Sequence, residues 1–209
     1  MNITQEYYTK KIRFMQSLLT LLPFNEWNNK LLAEAEEQCR FASAYNTLLF
    51  PDGLQEVVDF FESQQDDKML MQLAAVEAPK KIREKLSLAL KIRIKDCALP
   101  IIHSKNAAYL AMPNNILFAT NLAMRSCDII WRYAGDKSLD YNYYTKRGLL
   151  FTVYLPAILY YIQDESENYV KTDQFIDESL ENIINGFTHF KNLCKLAAPS
   201  NIPIIRLFV

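Results

Sequence analysis

Apolar residues recur at spacings of three and four along most of the chain. Ile12, Met15, Leu18, Leu19 and Leu22 make one stripe, and Ile82, Leu86, Ala89 and Leu90 a second. Phe175, Ile176, Leu180, Ile183, Ile184 and Phe187 make a third. That period gathers each set on one face of an α-helix. Pro23, Pro51, Pro79, Pro113 and Pro199 fall where one stripe hands over to the next, as helix breakers do. The pattern predicts an all-α protein with helices near 4–22, 26–38, 41–48, 52–73, 79–96, 101–111, 114–134, 140–163 and 167–197. The run QQDDK interrupts the apolar pattern around Asp66–Lys68. A soft boundary there separates a short-helix module, 1–65, from a long-helix module, 66–209.

Composition narrows the class without changing this picture. The chain has 209 residues, half of them hydrophobic, and a formal net charge of −1, which suits one domain with a substantial core. So small a charge argues against nucleic acid as the main partner, because duplex affinity rests on many phosphate contacts. Cys39, Cys97, Cys127 and Cys194 are scattered and read as reduced core thiols. The longest conspicuously apolar, uncharged run, Gly148–Ile162, contains Pro156. It is shorter than the roughly 20 residues of a membrane span and reads as a central core helix.

Candidate chemistry is mostly excluded. The helices predicted over 4–48, followed by Phe50-Pro51-Asp52-Gly53-Leu54, resemble the DNA-binding module of TetR-type regulators, with Ser43, Tyr45 and Asn46 where a major groove would be read. Charge opposes that use. From Phe24 to Glu62 the cations are Lys30 and Arg40, against Glu26, Glu34, Glu36, Glu37, Asp52, Glu56, Asp59 and Glu62. Such a face repels phosphate. A di-iron site would need Glu-x-x-His on paired helices. The residues three before His103 and His189 are Pro100 and Gly186. No nucleophile elbow or glycine-rich phosphate loop occurs. The expectation is a protein that is not an enzyme and needs no metal or cofactor.

Asp128–Arg147 is the unusual stretch. Trp131, Tyr133, Tyr141, Tyr143 and Tyr144 share it with three Asp and four cations. Exposed aromatics beside charges make protein-recognition surfaces. Ser138 or Asp140 is expected to cap the helix that follows. Met112, Leu117, Phe118, Met124, Phe151, Tyr154, Leu155, Leu159 and Ile162 are adaptable wall residues for an apolar ligand. A filled bundle core is the commoner fate of an apolar run such as Gly148–Ile162, and sequence alone does not decide between it and a cavity. The C-terminal Ile204, Ile205, Leu207 and Phe208 either dock on the protein's own core or touch a membrane.

Leu110-Ala111-Met112-Pro113-Asn114-Asn115-Ile116, Trp131-Arg132-Tyr133-Ala134-Gly135-Asp136-Lys137-Ser138 and Asp140-Tyr141-Asn142-Tyr143-Tyr144-Thr145-Lys146-Arg147 carry a further resemblance. So do Gln163-Asp164-Glu165-Ser166 and Leu49-Phe50-Pro51-Asp52-Gly53. The chain resembles the ubiquinone-biosynthesis accessory protein family, the ninth coenzyme-Q protein, from about Pro23 to Phe187. That resemblance implies a TetR-like fold without DNA binding. It also implies a cavity for isoprenoid quinone intermediates and presentation of them to the demethoxyubiquinone hydroxylase. It places the partner patch at Ile130, Trp131, Asp140, Tyr143 and Tyr144, and it allows peripheral membrane contact. TetR-like folds pair through their last long helices, so a homodimer through 167–197 is expected. Tyr143 stands where the family has Trp, and the tail is short and apolar. The N-terminus lacks an Arg-rich transit pattern. The expected location is therefore the bacterial cytoplasm beside the inner membrane, with the matrix side of the mitochondrial inner membrane as the alternative. The rival functional class is a TetR-like transcriptional regulator with a small-molecule pocket.

Overall fold

The computed structural model describes residues 3–139 and 141–197. Among them every regular element is helical: α1 Ile3–Leu21, α2 Asn29–Cys39, α3 Tyr45–Leu49, α4 Leu54–Ala75, α5 Ile82–Lys91, α6 Pro100–Leu110, α7 Ile116–Tyr133, α8 Tyr141–Gln163 and α9 Val170–Ala197. The all-α expectation holds, and the helices lie where the apolar spacing puts them. The largest difference is inside the predicted helix 79–96. There α5 gives way to a widened turn, Ile92–Asp96, closed by Cys97 N–H donating to Ile92 O at 3.2 Å.

Two compact units divide the chain. One combines 1–68 with 98–122, and the other combines 69–97 with the chain from 123 onward. The chain first changes unit after Lys68, and neither unit is a continuous stretch like 1–65 or 66–209. The return of 98–122 to the first unit carries no polar signal, because Ile102, Tyr109 and Leu122 are apolar like their neighbours. They bury into the first core beside Phe14, Leu18 and Phe61.

In the first unit, Asn28 caps α2 by accepting from Leu31 N–H at 2.9 Å, and Arg40 ends it in the left-handed region at φ 55°. Glu36 is buried because it serves the next helix. Its carboxylate accepts from the backbone N–H of Ala44 (3.3 Å) and Asn46, and from Asn46 Nδ2 at 2.7 Å. Asn46 is thereby committed internally, and Tyr45 packs its ring against Phe41 at 4.9 Å. Neither residue is held as a free reader of a groove. The Met112-Pro113-Asn114-Asn115 motif is a folded turn. Asn115 is buried and its Nδ2 donates to Tyr109 O at 2.9 Å, while Gln55 Nε2 donates to its Oδ1 at 3.1 Å.

The second unit packs α5, α7, α8 and α9 around Leu90, Cys127, Ile130, Val153, Ala157 and Ile176. Polar ties join its α5 side to α9: Lys91 reaches Asp177 at 2.7 Å and Lys95 reaches Asp173 at 2.6 Å. Pro156 sits within α8 on an exposed position, where the lost N–H bond is cheapest. Cys97 and Cys127 are buried thiols here, as Cys39 is in the first unit. Cys194 and the side chain of His189 lie outside the described side chains, and His103 is buried.

The Gln163-Asp164-Glu165-Ser166 motif folds into the entry of α9. Asp164 accepts from Ser166 N–H (2.8 Å), Thr172 N–H (2.8 Å) and Thr172 Oγ1 (2.6 Å). Burial pushes its carboxyl upward, but these donors outweigh burial and hold it well below the ordinary carboxylate range. Asp164→Ala should cost about 1–2 kcal/mol in urea denaturation at neutral pH, as loss of a helix cap does. Since the folded carboxyl titrates below the unfolded one, the difference from wild type should persist down to about pH 4 and shrink on further acidification.

Candidate functional site

The Asp128–Arg147 stretch folds around the end of α7. Gly135 adopts φ 99°, a left-handed conformation that a side chain would strain. Around it Gly135 N–H donates to Arg132 O and Asp136 N–H to Trp131 O, both at 3.0 Å. This paired geometry is a Schellman ending. The Trp-x-Tyr-Ala-Gly-Asp motif therefore has a conformational reason. Trp131 supplies the carbonyl, Ala134 is buried, Gly135 turns, and Asp136 is delivered to a fixed point.

That point is occupied by cations from α8. Arg147 is 1% exposed and lies between two carboxylates. Its Nε donates to Asp128 Oδ1 at 2.9 Å, and its Nη1 donates to Asp136 Oδ2. Lys146 Nζ donates to Asp136 Oδ1 at 2.7 Å and to Ser138 Oγ at 3.1 Å, while Ser138 Oγ donates to Asp136 at 2.8 Å. Ser138 thus bonds back to Asp136, which corrects its expected role as a cap for α8. For Asp136 burial acts upward, but Lys146, Arg147 and Ser138 more than offset it, and the carboxyl stays ionised far below its usual range. Asp128 is likewise lowered, with burial opposed by Arg132 and Arg147. Trp131 closes the cluster: its Nε1 donates to Lys146 O at 2.8 Å, and Lys146 Nζ lies 5.6 Å from its ring.

Beside this cluster the second unit holds a cavity of about 360 Å³. Leu86 of α5, Trp131 of α7, Ala134 in the turn after it, Leu149 and Leu150 of α8, and Leu180 of α9 give it apolar walls. Asp136, Lys146 and Arg83 supply a polar edge. An apolar chamber with a few fixed polar groups at one edge suits a small amphiphile, and about 300–1,000 Å³ is the usual size of such sites. No group of three or more His, Cys, Asp or Glu side chains that could hold a metal ion occurs among the described residues. Nor is any helix among them long and apolar enough to cross a membrane.

The nine residues proposed as a lipid wall do not line this cavity. Met112 and Leu117 are exposed, and Phe118 packs against the core of the first unit. In the second unit Tyr154 is core, Phe151 packs against that core, Met124 and Ile162 are half-buried, and Leu155 and Leu159 are exposed. Apolarity alone does not say which helical face looks inward. The second and third stripes held the better signal, since Leu86, Leu180, Ile183 and Ile184 all line the cavity.

The proposed partner patch needs a similar correction. Ile130 and Trp131 are buried, at 0% and 4% exposure, and offer no side-chain surface. Tyr144 is 70% exposed, and its ring meets that of half-buried Tyr143 edge-on at 5.1 Å. The Arg147 guanidinium lies 3.9 Å from the Tyr143 ring and fixes that pair to the buried cluster. Leu139, 93% exposed, is a further large apolar side chain on this segment, missed because a lone Leu in an irregular stretch carries no pattern. Asp140 and the tail residues Ile204, Ile205, Leu207 and Phe208 lie outside the described residues.

Residues 117–186 match the family model described as COQ9. That span runs from α7 into α9 and includes the ion cluster and most of the cavity wall. The chain is 27% identical over 191 residues to the probable ubiquinone biosynthesis protein coq9, mitochondrial, of Dictyostelium discoideum, covering 87% of this chain and 62% of that protein. It is 28% identical over 182 residues to the ubiquinone biosynthesis protein COQ9, mitochondrial, of Bos taurus, and 26% over 182 residues to that of Homo sapiens. Each of those two alignments covers 83% of this chain and 57% of the relative. The chain thus spans about three fifths of the length of these relatives.

Asp136→Asn should destabilise the fold by about 3 kcal/mol in chemical denaturation, because the buried guanidinium loses one of its two counter-charges. The sign of the pH effect follows from the depressed carboxyl. The deficit should be full at neutral pH and diminish only below about pH 4.

Proposed function

We propose that the chain, whose residues 117–186 match the COQ9 family model and which is similar to ubiquinone biosynthesis proteins, is a lipid-binding accessory protein of that pathway and not an enzyme. It binds isoprenoid quinone intermediates and presents them to the demethoxyubiquinone hydroxylase. The observation that carries this reading is the apolar cavity of about 360 Å³ ending at the Asp136–Lys146 edge. An isoprenoid segment within it gains about 0.8 kcal/mol per buried CH₂ group. A quinone ring at its edge meets hydrogen-bonding groups. The chemistry belongs to the partner, and this chain supplies solubility, orientation and docking.

The docking surface is the exposed Tyr144 with Tyr143 and Leu139. An edge-to-face pair of large rings offers contact area at little entropic cost. The named relatives are mitochondrial. This favours the matrix side of the mitochondrial inner membrane over the bacterial location expected from the N-terminus.

Native mass spectrometry of the purified protein, followed by titration with a quinone analogue, tests the carrier role. Recovered isoprenoid lipid and saturable binding are expected. Leu149→Trp, which fills the cavity from α8, should weaken that binding at least tenfold. Absence of both lipid and binding overturns the reading. Docking is tested separately by pull-down of the hydroxylase. Tyr144→Ala should weaken capture while stability changes by less than about 0.5 kcal/mol, as for other exposed positions. A large loss of stability would mean that the ring is structural and the patch misassigned.

A further inference from the structure

The cavity of the second unit opens beside an unusually basic lip. Over residues 77–85 the sequence is Glu77-Ala78-Pro79-Lys80-Lys81-Ile82-Arg83-Glu84-Lys85, four cations against two carboxylates in a chain whose net charge is −1. Lys80, Lys81, Ile82 and Arg83 are exposed, with Ile82 at 55%. Ile82 and Arg83 also line the cavity itself. One short segment therefore faces solvent on one side and the lipid-sized chamber on the other.

The ion pairs on this lip are weak. Lys81 meets Glu84 at 3.3 Å and Arg83 meets Glu181 of α9 at 3.7 Å, and all four side chains are 46–80% exposed. Exposed pairs of this kind contribute little and exchange readily for another anion. A large apolar side chain between exposed cations is also the composition of segments that rest in a bilayer interface. There the cations meet anionic headgroups and the apolar group enters the acyl boundary.

We infer that the Lys80–Arg83 lip is a contact site for an anionic lipid bilayer, set so that a lipid leaving the membrane enters the cavity past Ile82. Transfer through this lip rests on the cavity reading proposed above, whereas contact with the bilayer does not. The occupant is a membrane because the lip pairs a row of cations with an exposed hydrophobe, Ile82, at the cavity mouth. A soluble acidic ligand would need the cations alone.

Sedimentation of the full chain with phosphatidylcholine vesicles, with and without phosphatidylserine, tests the contact. Binding should require phosphatidylserine and fall as salt rises, because the cations are exposed. The triple variant Lys80→Gln, Lys81→Gln, Arg83→Gln should lose about a hundredfold in vesicle affinity, at roughly fivefold per cation. Ile82→Ser should weaken binding without changing its salt dependence. Unchanged binding by the triple variant, or equal binding to neutral vesicles, overturns the inference. So does loss of binding only when residues 203–209 are removed. A quinone analogue supplied in detergent should load the triple variant as it loads wild type. If neither protein takes it up, the carrier reading fails while the vesicle result still decides the lip.

Discussion

The burial of Arg147 is the constraint around which the second unit is organised. A guanidinium at 1% exposure is tolerated only where its charge and its donors are matched. Asp128 comes from within α7, Asp136 from just beyond its end, and the Arg itself from α8. The carboxylates reach it only if α7 stops where it does. Gly135 makes that stop, and the turn also brings Lys146 onto Asp136 and Trp131. A polar network closed on so many sides fixes one geometry. The same residues form the polar edge of the cavity and the base of the Tyr143–Tyr144 pair.

This coupling explains why a segment dense in charge and aromatic rings lies in a protein without recognisable catalytic chemistry. The charges neutralise one another inside. The rings divide: Trp131 seals the cluster, Tyr143 packs on the guanidinium, and Tyr144 is left outside. The proposed ligand site and the proposed recognition surface thereby share one segment, which suits a protein proposed to hold a lipid and present it.

Much of this was legible before any coordinates. The three-and-four spacing located the helices, and the proline positions located the breaks. The motifs at Met112–Asn115, Trp131–Ser138, Asp140–Arg147 and Gln163–Ser166 marked special places. What they did there was less legible. Asn115, Asp136 and Asp164 are each a short polar side chain whose value lies in the backbone or cation it reaches, and that reach depends on a turn. The resemblance placed Ile130 and Trp131 in the partner patch, yet helical geometry turns them inward.

The sequence by itself determined the all-helical class, the helix positions, the absence of recognisable catalytic motifs and the resemblance to the COQ9 family. These follow from local periodicity, turn chemistry and specific motifs, all of which act over a few residues. Tertiary structure alone decided that 98–122 joins the first unit, that Arg147 is the buried hub, and that the cavity is walled by Leu86, Leu149 and Leu180 instead of the nine residues expected between Met112 and Ile162. Which side of an apolar helix is covered depends on residues far away in the chain, and no local pattern contains that information.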